Sequence, residues 1–438
     1  MAVLPFPFVS RRLRLGMSNG SLHLIDWAVL LLYVAAILGI GWRESRKARG
    51  QGTKAYFLGG RRFSSFTIGI SMFVTLFSTI SYLSGPGEII RYGPGLFWGQ
   101  LFAAPIVFPI IAFWLIPLLM KQRLVSLYEF LETRLGPGIR TLGACMFMLY
   151  RLVWMGLLMH FAADAMSVTL GFGPGAIPAI TIVTGLIVIT YTAMGGLSGV
   201  MVVEVLQFFV LFFGIIAALV IVTLRFHGLG WFPAHWNPAW PAQPLASADL
   251  TVRLTLIGSL LRGMMLDTAH SVDQSQVQRY MASTDIRQAR RSVAIRMIGS
   301  NVTWAFLVLI GLALIAFYQR FPAAMPAGQT FRTYADRLFP YFIAHELPVG
   351  LSGMVAAAIL AAGMSGVSSA VNAFTVVIVN DFVERAGVRA TTEQQRKRFA
   401  VALCFVIGAV VIGFSLLVGF VPGNFVEVTS RTIQLFIP

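Results

Sequence analysis

Apolar runs of about twenty residues, the length that crosses a bilayer core as helix, recur from one end of the chain to the other. Eleven candidate spans stand near 24–42, 65–84, 95–119, 141–170, 175–194, 198–224, 253–278, 294–318, 348–382, 399–420 and from 424 onward. Only 11% of the residues are charged and 57% are hydrophobic. A soluble domain carries roughly 25% charged residues, so water is the wrong solvent for this sequence. The expected class is an all-α polytopic membrane protein, and the lipid bilayer is its first partner.

The net charge of +16 does not point to nucleic acid, because the basic residues sit in short loops between spans and not along one face or arm. Loops 43–62, 121–140, 279–291 and 385–398 carry twenty Lys and Arg, whereas the alternate loops carry five. The positive-inside rule then puts the first set in the cytoplasm and the N-terminus outside, in a multi-pass protein of the cell (inner) membrane. Arg11, Arg12 and Arg14 oppose that orientation, which makes residues 1–16 a dispensable extension and 17–438 the transmembrane domain. Loop 226–252, with Trp231, Trp236 and Trp240, reads as an outer interfacial segment, as does 319–347. Cys145 and Cys404 both lie in apolar spans, so no disulfide framework or cysteine metal site is expected. HExxH, GxSxG, Walker phosphate-loop and Cys-x-x-Cys signatures are absent, and no enzyme activity is assigned.

Six stretches carry a further resemblance. They are Tyr56-Phe-Leu-Gly-Gly-Arg-Arg62, Gly87-Glu-Ile-Ile-Arg-Tyr-Gly93, Ser126-Leu-Tyr-Glu-Phe-Leu-Glu-Thr-Arg134, Tyr191-Thr-Ala-Met-Gly-Gly-Leu197, Asp273-Gln-Ser-Gln-Val-Gln-Arg-Tyr280 and the small-residue run from Ala362 to Asn372. Together and in this order they resemble the sodium/solute symporter family, most closely its iodide, multivitamin and monocarboxylate carriers. The resemblance implies a leucine-transporter-like inverted repeat of five plus five helices, here 65–224 and 253–438, preceded by one extra helix at 24–42. Pro438 stands about fifteen residues into the last span, so the second repeat is expected to be C-terminally truncated. The implied activity is sodium-coupled symport of a small organic or anionic solute by alternating access, with sodium as coupling ion and no other cofactor. Proton-coupled or uncoupled transport, a non-transporting membrane sensor and an inactive fragment are the alternatives.

The resemblance also implies a sodium site made by the carbonyls of Val74, Phe77 and Ala362 and the hydroxyl of Ser365. On that expectation two interrupted helices, one from each half, open near Phe77 and Ser365. Gly366 stands where the family usually supplies a second hydroxyl, so a ligand must come from Ser368, Ser369 or water. The residues alone also read as a close-packing surface of small side chains. Glu204 falls where the family commonly has an Asp on the inner ion path, and a carboxylate in a membrane is costly enough to suggest use, unless it lies at the interface.

Span 253–278 is the most polar, with Arg262, Asp267, His270, Asp273 and Gln274 close together. Helical spacing puts Asp267, His270 and Gln274 on one stripe, and the resemblance implies that this stripe faces the central cavity. Asp267 and His270, at i and i+3, are expected either to pair in a way that titrates near neutral pH or to form a static pair. Family alignment adds Ser81, Gln100 and Ser430 to the substrate-facing set. Arg262 and Arg431 are candidates for attracting a carboxylate, against the commoner role of span-edge arginines reaching toward the interface.

Overall fold

A computed structural model describes residues 22–47, 52–122, 126–249, 251–383, 385 and 392–420. Ser430, Arg431 and the span from 424 onward therefore lie outside the described residues. Among the described residues, seven helices are long and apolar enough to cross a membrane: α1 (Leu24–Lys47), α5 (Gly95–Lys121), α7 (Pro137–Thr169), α8 (Ile177–Arg225), α11 (Ile286–Arg320), α13 (Leu351–Val383) and α14 (Glu393–Val418). A bent pair, α3 (Ser65–Leu76) and α4 (Thr79–Tyr92), makes an eighth. The remaining helices are α2 (Thr53–Leu58), α6 (Leu127–Leu135), α9 (Leu256–Ser271), α10 (Gln274–Ala282) and α12 (Phe331–Glu346).

Helix α8 has 49 residues, about 74 Å if straight, more than twice a hydrocarbon core of about 30 Å. It is two spans joined at Gly196, where φ is 55° and ψ is −154°. These are the separate spans 175–194 and 198–224 of the sequence reading. The positive φ favours glycine. A Cβ there would also sit 2.6 and 2.7 Å from the ring of Tyr56 and 2.7 Å from its carbonyl oxygen. Tyr56 is fixed over the turn by a hydrogen bond from its hydroxyl to Ala193 O (3.0 Å). Gly196→Ala is therefore expected to destabilise the carrier by about 1–3 kcal/mol, seen as a lower melting temperature in detergent. An unchanged melting curve would contradict this account of the turn.

The small-residue helix α13 runs through the centre and is buried along nearly all of Leu351–Val377. The peripheral α1 is tied to its start by Asp26, whose Oδ1 accepts the N–H groups of Gly350 (2.7 Å) and Gly353 (2.8 Å). On the face opposite the basic loops, α12 forms where the sequence reading expected an interfacial loop. Thr330 and Thr333 cap it reciprocally, and Asp336 accepts both guanidinium Nη groups of Arg91 at 2.9 and 3.0 Å. Trp240 closes the same face by donating to Ile90 O (3.3 Å) at the end of α4.

Candidate functional site

The first break lies between α3 and α4. Phe77 (φ −82°, ψ 104°) and Ser78 (φ −98°, ψ 163°) are extended, and the two segments meet at 65°. Ser78 starts the second segment by accepting the N–H of Ser81 (3.2 Å), the usual work of an N-cap hydroxyl. The break leaves the last carbonyls of α3 without intrahelical donors. One of them, Val74 O, faces Ser365 Oγ at 3.1 Å, and the same hydroxyl lies 3.1 Å from Ala362 O. A hydroxyl has one proton, so Ser365 can donate to only one of these two carbonyls at a time, and Ala362 O also stands at an acceptor position inside the intact α13. Such a cluster is electron-rich and suits a small hard cation.

Close approach of α13 to the break depends on the absence of side chains. A Cβ on Gly363 would lie 2.6 Å from Ala162 Cβ and 2.9 Å from Thr79 Oγ1, and one on Gly366 would lie 2.7 Å from Leu158 Cδ1. Thr79 Oγ1 is buried without a hydrogen-bond partner among the described residues. The sequence reading missed this residue, although its place two positions after Phe77 in a hydroxyl-rich stretch was a usable signal. Ser368 and Ser369, suggested as replacements for the hydroxyl missing at Gly366, are otherwise engaged. Ser368 donates to Ser365 O (3.0 Å), and Ser369 belongs to the network around Glu204.

Helix α13 itself continues through Ser365 without interruption. The expected second break is therefore not there: small residues from Ala362 to Asn372 serve close packing of an intact helix. It lies instead at Val272–Asp273, between α9 and α10. Asp273 starts α10 as its cap, with the side chain accepting Ser275 N at 2.9 Å.

Glu204 is fully buried within the protein. Its carboxylate accepts from Ser71 Oγ (2.5 Å), Thr75 Oγ1 (2.8 Å), Ser369 Oγ (2.5 Å) and Arg279 Nη2 (2.8 Å). Arg279, equally buried, also donates to Ser71 Oγ (2.7 Å), Ser275 O (2.8 Å) and Ser369 Oγ (2.6 Å). One ion pair thus joins α3, the second half of α8, α10 and α13, on the basic-loop side of Ser365. Its cation is a guanidinium of the chain.

Around the second break the polar stripe divides. Asp267 accepts from Gln100 Nε2 (3.0 Å) and stands 3.5 Å from Arg296 Nη1. These two predicted substrate residues are neighbours, but the partner of Asp267 is arginine and not His270. Arg296, 2% exposed, was missed because it falls near the start of a long span. His270 is partly buried at the end of α9. Gln274 lies past the break, so it does not continue the face of Asp267. Its Oε1 accepts Leu127 N (2.8 Å) at the start of α6, on the basic-loop face. Ser81 is partly buried on the first turn of α4, its hydroxyl 3.3 Å from that of Ser78.

A family model described as the sodium:solute symporter family matches residues 56–422. The chain belongs to that family. The sodium/sialic acid symporter of Proteus mirabilis is 28% identical over 88% of this chain and 76% of its own length. The sodium-coupled monocarboxylate transporter 1 of Xenopus laevis is 27% identical over 90% of this chain and 63% of its own length. A solved structure of a Na+-coupled sialic acid symporter, in a substrate-bound outward-open state, superposes with a TM-score of 0.79. It has 25% sequence identity and covers 90% of this chain and 82% of that one. The sialic acid carriers thus join the multivitamin, monocarboxylate and iodide carriers, which are similar at comparable identity.

This member of the symporter family is a sodium-coupled solute transporter and not an enzyme. It is an all-helical, multi-pass membrane protein with a leucine-transporter-like fold. The family's transported pair, sodium and a solute, is the pair this symporter carries.

Proposed function

We propose that this symporter carries a small anionic solute inward with sodium, and that sodium binds at the first break. The observation that carries the reading is the group of Val74 O, Ala362 O and Ser365 Oγ, two carbonyls each 3.1 Å from one hydroxyl, with Val74 O at the open end of a broken helix. The carbonyl of Phe77, in the extended link, and the orphaned hydroxyl of Thr79 complete about five ligands. Water, carbonyls and hydroxyls satisfy sodium without a carboxylate, as broken helices in transporters commonly do. In this reading Glu204 is an anchor on the inner ion path and not a ligand.

The anionic class is supported by the relatives' substrates, since sialic acid, monocarboxylates and iodide are all anions at neutral pH. It is supported too by two buried guanidiniums, Arg151 and Arg296, beside the second break. Asp267, Gln100 and Ser81 line the solute side, and His270 stands next to it. The breaks at Phe77–Ser78 and Val272–Asp273 fall in the first span of each proposed repeat, 65–224 and 253–438, as two inverted halves require. Basic loops 43–62, 121–140, 279–291 and 385–398 face the cytoplasm, so α1 enters the cell membrane from outside.

Sodium and solute are coupled because an ion that favours the solute-ready arrangement raises solute affinity by the same factor. Proteoliposomes holding the full chain test this directly. An inward sodium gradient should drive uptake of sialic acid or of a short monocarboxylate, and collapse of that gradient should abolish it. Equal uptake with potassium replacing sodium would refute the coupling site.

A further inference from the structure

Between Arg140 and Asp164 the long helix α7 carries one arginine or carboxylate, Arg151, in an otherwise apolar stretch. A charge at that depth is expensive unless paired or used. Arg151 is 6% exposed and forms an ion pair through Nη2 with Asp273 Oδ2, the residue that caps α10 at the second break. Its guanidinium lies 5.8 Å from the ring of Phe147 and 5.9 Å from that of Tyr150, which in turn stacks on Trp154.

The pair is incomplete in a specific way. A guanidinium presents Nε and one Nη along an edge that matches both oxygens of a carboxylate. Asp273 uses the Nη2 end through a single oxygen, because Oδ1 is committed to the backbone N–H and hydroxyl of Ser275. Nε is buried and has no hydrogen-bond partner among the described residues. An unpaired buried N–H of a charged group keeps its full desolvation penalty, so the edge is better matched by a free carboxylate than by the residue holding it.

We infer that Arg151 is the residue that receives the solute's carboxylate, on its Nε–Nη2 edge, and that Asp273 holds this edge only while the solute is absent. The inference rests on the anionic solute proposed above. Phe147, Tyr150 and Trp154 supply the apolar wall beside the anion. On arrival the solute satisfies Nε and displaces Asp273 from Nη2. Asp273 keeps its cap on α10, but the second broken span is released from α7. Solute occupancy is thereby transmitted to the segment that also carries Arg279.

The test is a titration of the purified full chain in sodium, followed by thermal shift, with sialic acid and pyruvate as probes and their methyl esters as neutral controls. At least one acid should bind wild type while its ester does not. Arg151→Gln should weaken that binding by roughly ten- to a hundredfold, the loss of a charged hydrogen-bonding partner. Asp273→Asn retains a capping side chain but removes the competing charge, so it should tighten binding by a few fold. The double variant R151Q/D273N leaves no buried charge unpaired and should bind as weakly as R151Q, which separates lost recognition from misfolding. Unchanged affinity in R151Q/D273N overturns the assignment of Arg151 and leaves the anionic class standing. Weakening by D273N equal to that of R151Q makes the pair structural and overturns the exchange. Failure of both acids to bind, or esters binding equally well, overturns the solute class and the Arg151 assignment together.

Discussion

Replacing Ser365 by alanine will raise the sodium concentration for half-maximal uptake roughly tenfold or more, while the amount of folded carrier stays near wild type. The two halves of that expectation have different origins. Removing one hard ligand of about five from a small cation in a site poor in water leaves a position that nothing else fills. Folding is little affected, because the lost hydroxyl hydrogen bond is worth about 1 kcal/mol and alanine is the better helix former. Thr79→Val should act in the same direction if its unpaired hydroxyl is a ligand. Gly366→Ser should not rescue affinity by itself, since its Cβ would meet Leu158 Cδ1 at 2.7 Å before the new hydroxyl reached the ion. Uptake of labelled solute against sodium concentration decides the matter. An unaltered sodium dependence in Ser365→Ala would move the ion away from the first break.

What the sequence made legible depended on whether a signal was local. The first break, expected near Phe77 from the family resemblance, has a local cause, because Phe77 ends one segment and Ser78 caps the next. The two spans of α8 were separable at Gly195 and Gly196 for the same reason. The second break was placed on the wrong helix. Small residues after Ala362 resemble a weak helix on paper, yet their physical effect is to let neighbours approach, and α13 is unbroken. The true start of α10 was in plain sight as Asp273, with Ser275 two residues on, but it was weighed as a motif and not as a cap. Long-range pairing was not legible at all. Arg279 was counted with the basic loop that follows it, although it is fully buried opposite Glu204. Asp267 was matched with His270, its neighbour in sequence, when its partners Gln100 and Arg296 come from other helices. Periodicity within one helix says which residues share a face, and nothing in it says what that face meets.

The largest effect on stability is expected at Glu204→Gln, with most of it reversed by adding Arg279→Gln. The carboxylate meets three hydroxyls and one guanidinium from three other helices, so its loss strands the fully buried Arg279. Breaking one side of such a pair costs about 3–5 kcal/mol, whereas replacing both charges with neutral groups of similar size is often close to neutral. E204Q should therefore be poorly recovered or melt well below wild type in detergent, and E204Q/R279Q should return toward the wild-type melting temperature. Transport should not return with it. The pair holds α3 and α10, the basic-loop-side segments of both broken spans, against α8 and α13, so neutralising it should loosen that side. A neutral pair that folds well but has lost its electrostatic latch should leak or cycle with altered sodium dependence, measurable as solute efflux without sodium. If the double variant is as unstable as the single one, the contribution of Glu204 is not charge balance but its hydroxyl network with Ser71, Thr75 and Ser369. If it is stable and transports with wild-type coupling, the pair is packing alone, and control of the inner path must lie with Arg151 and Asp273.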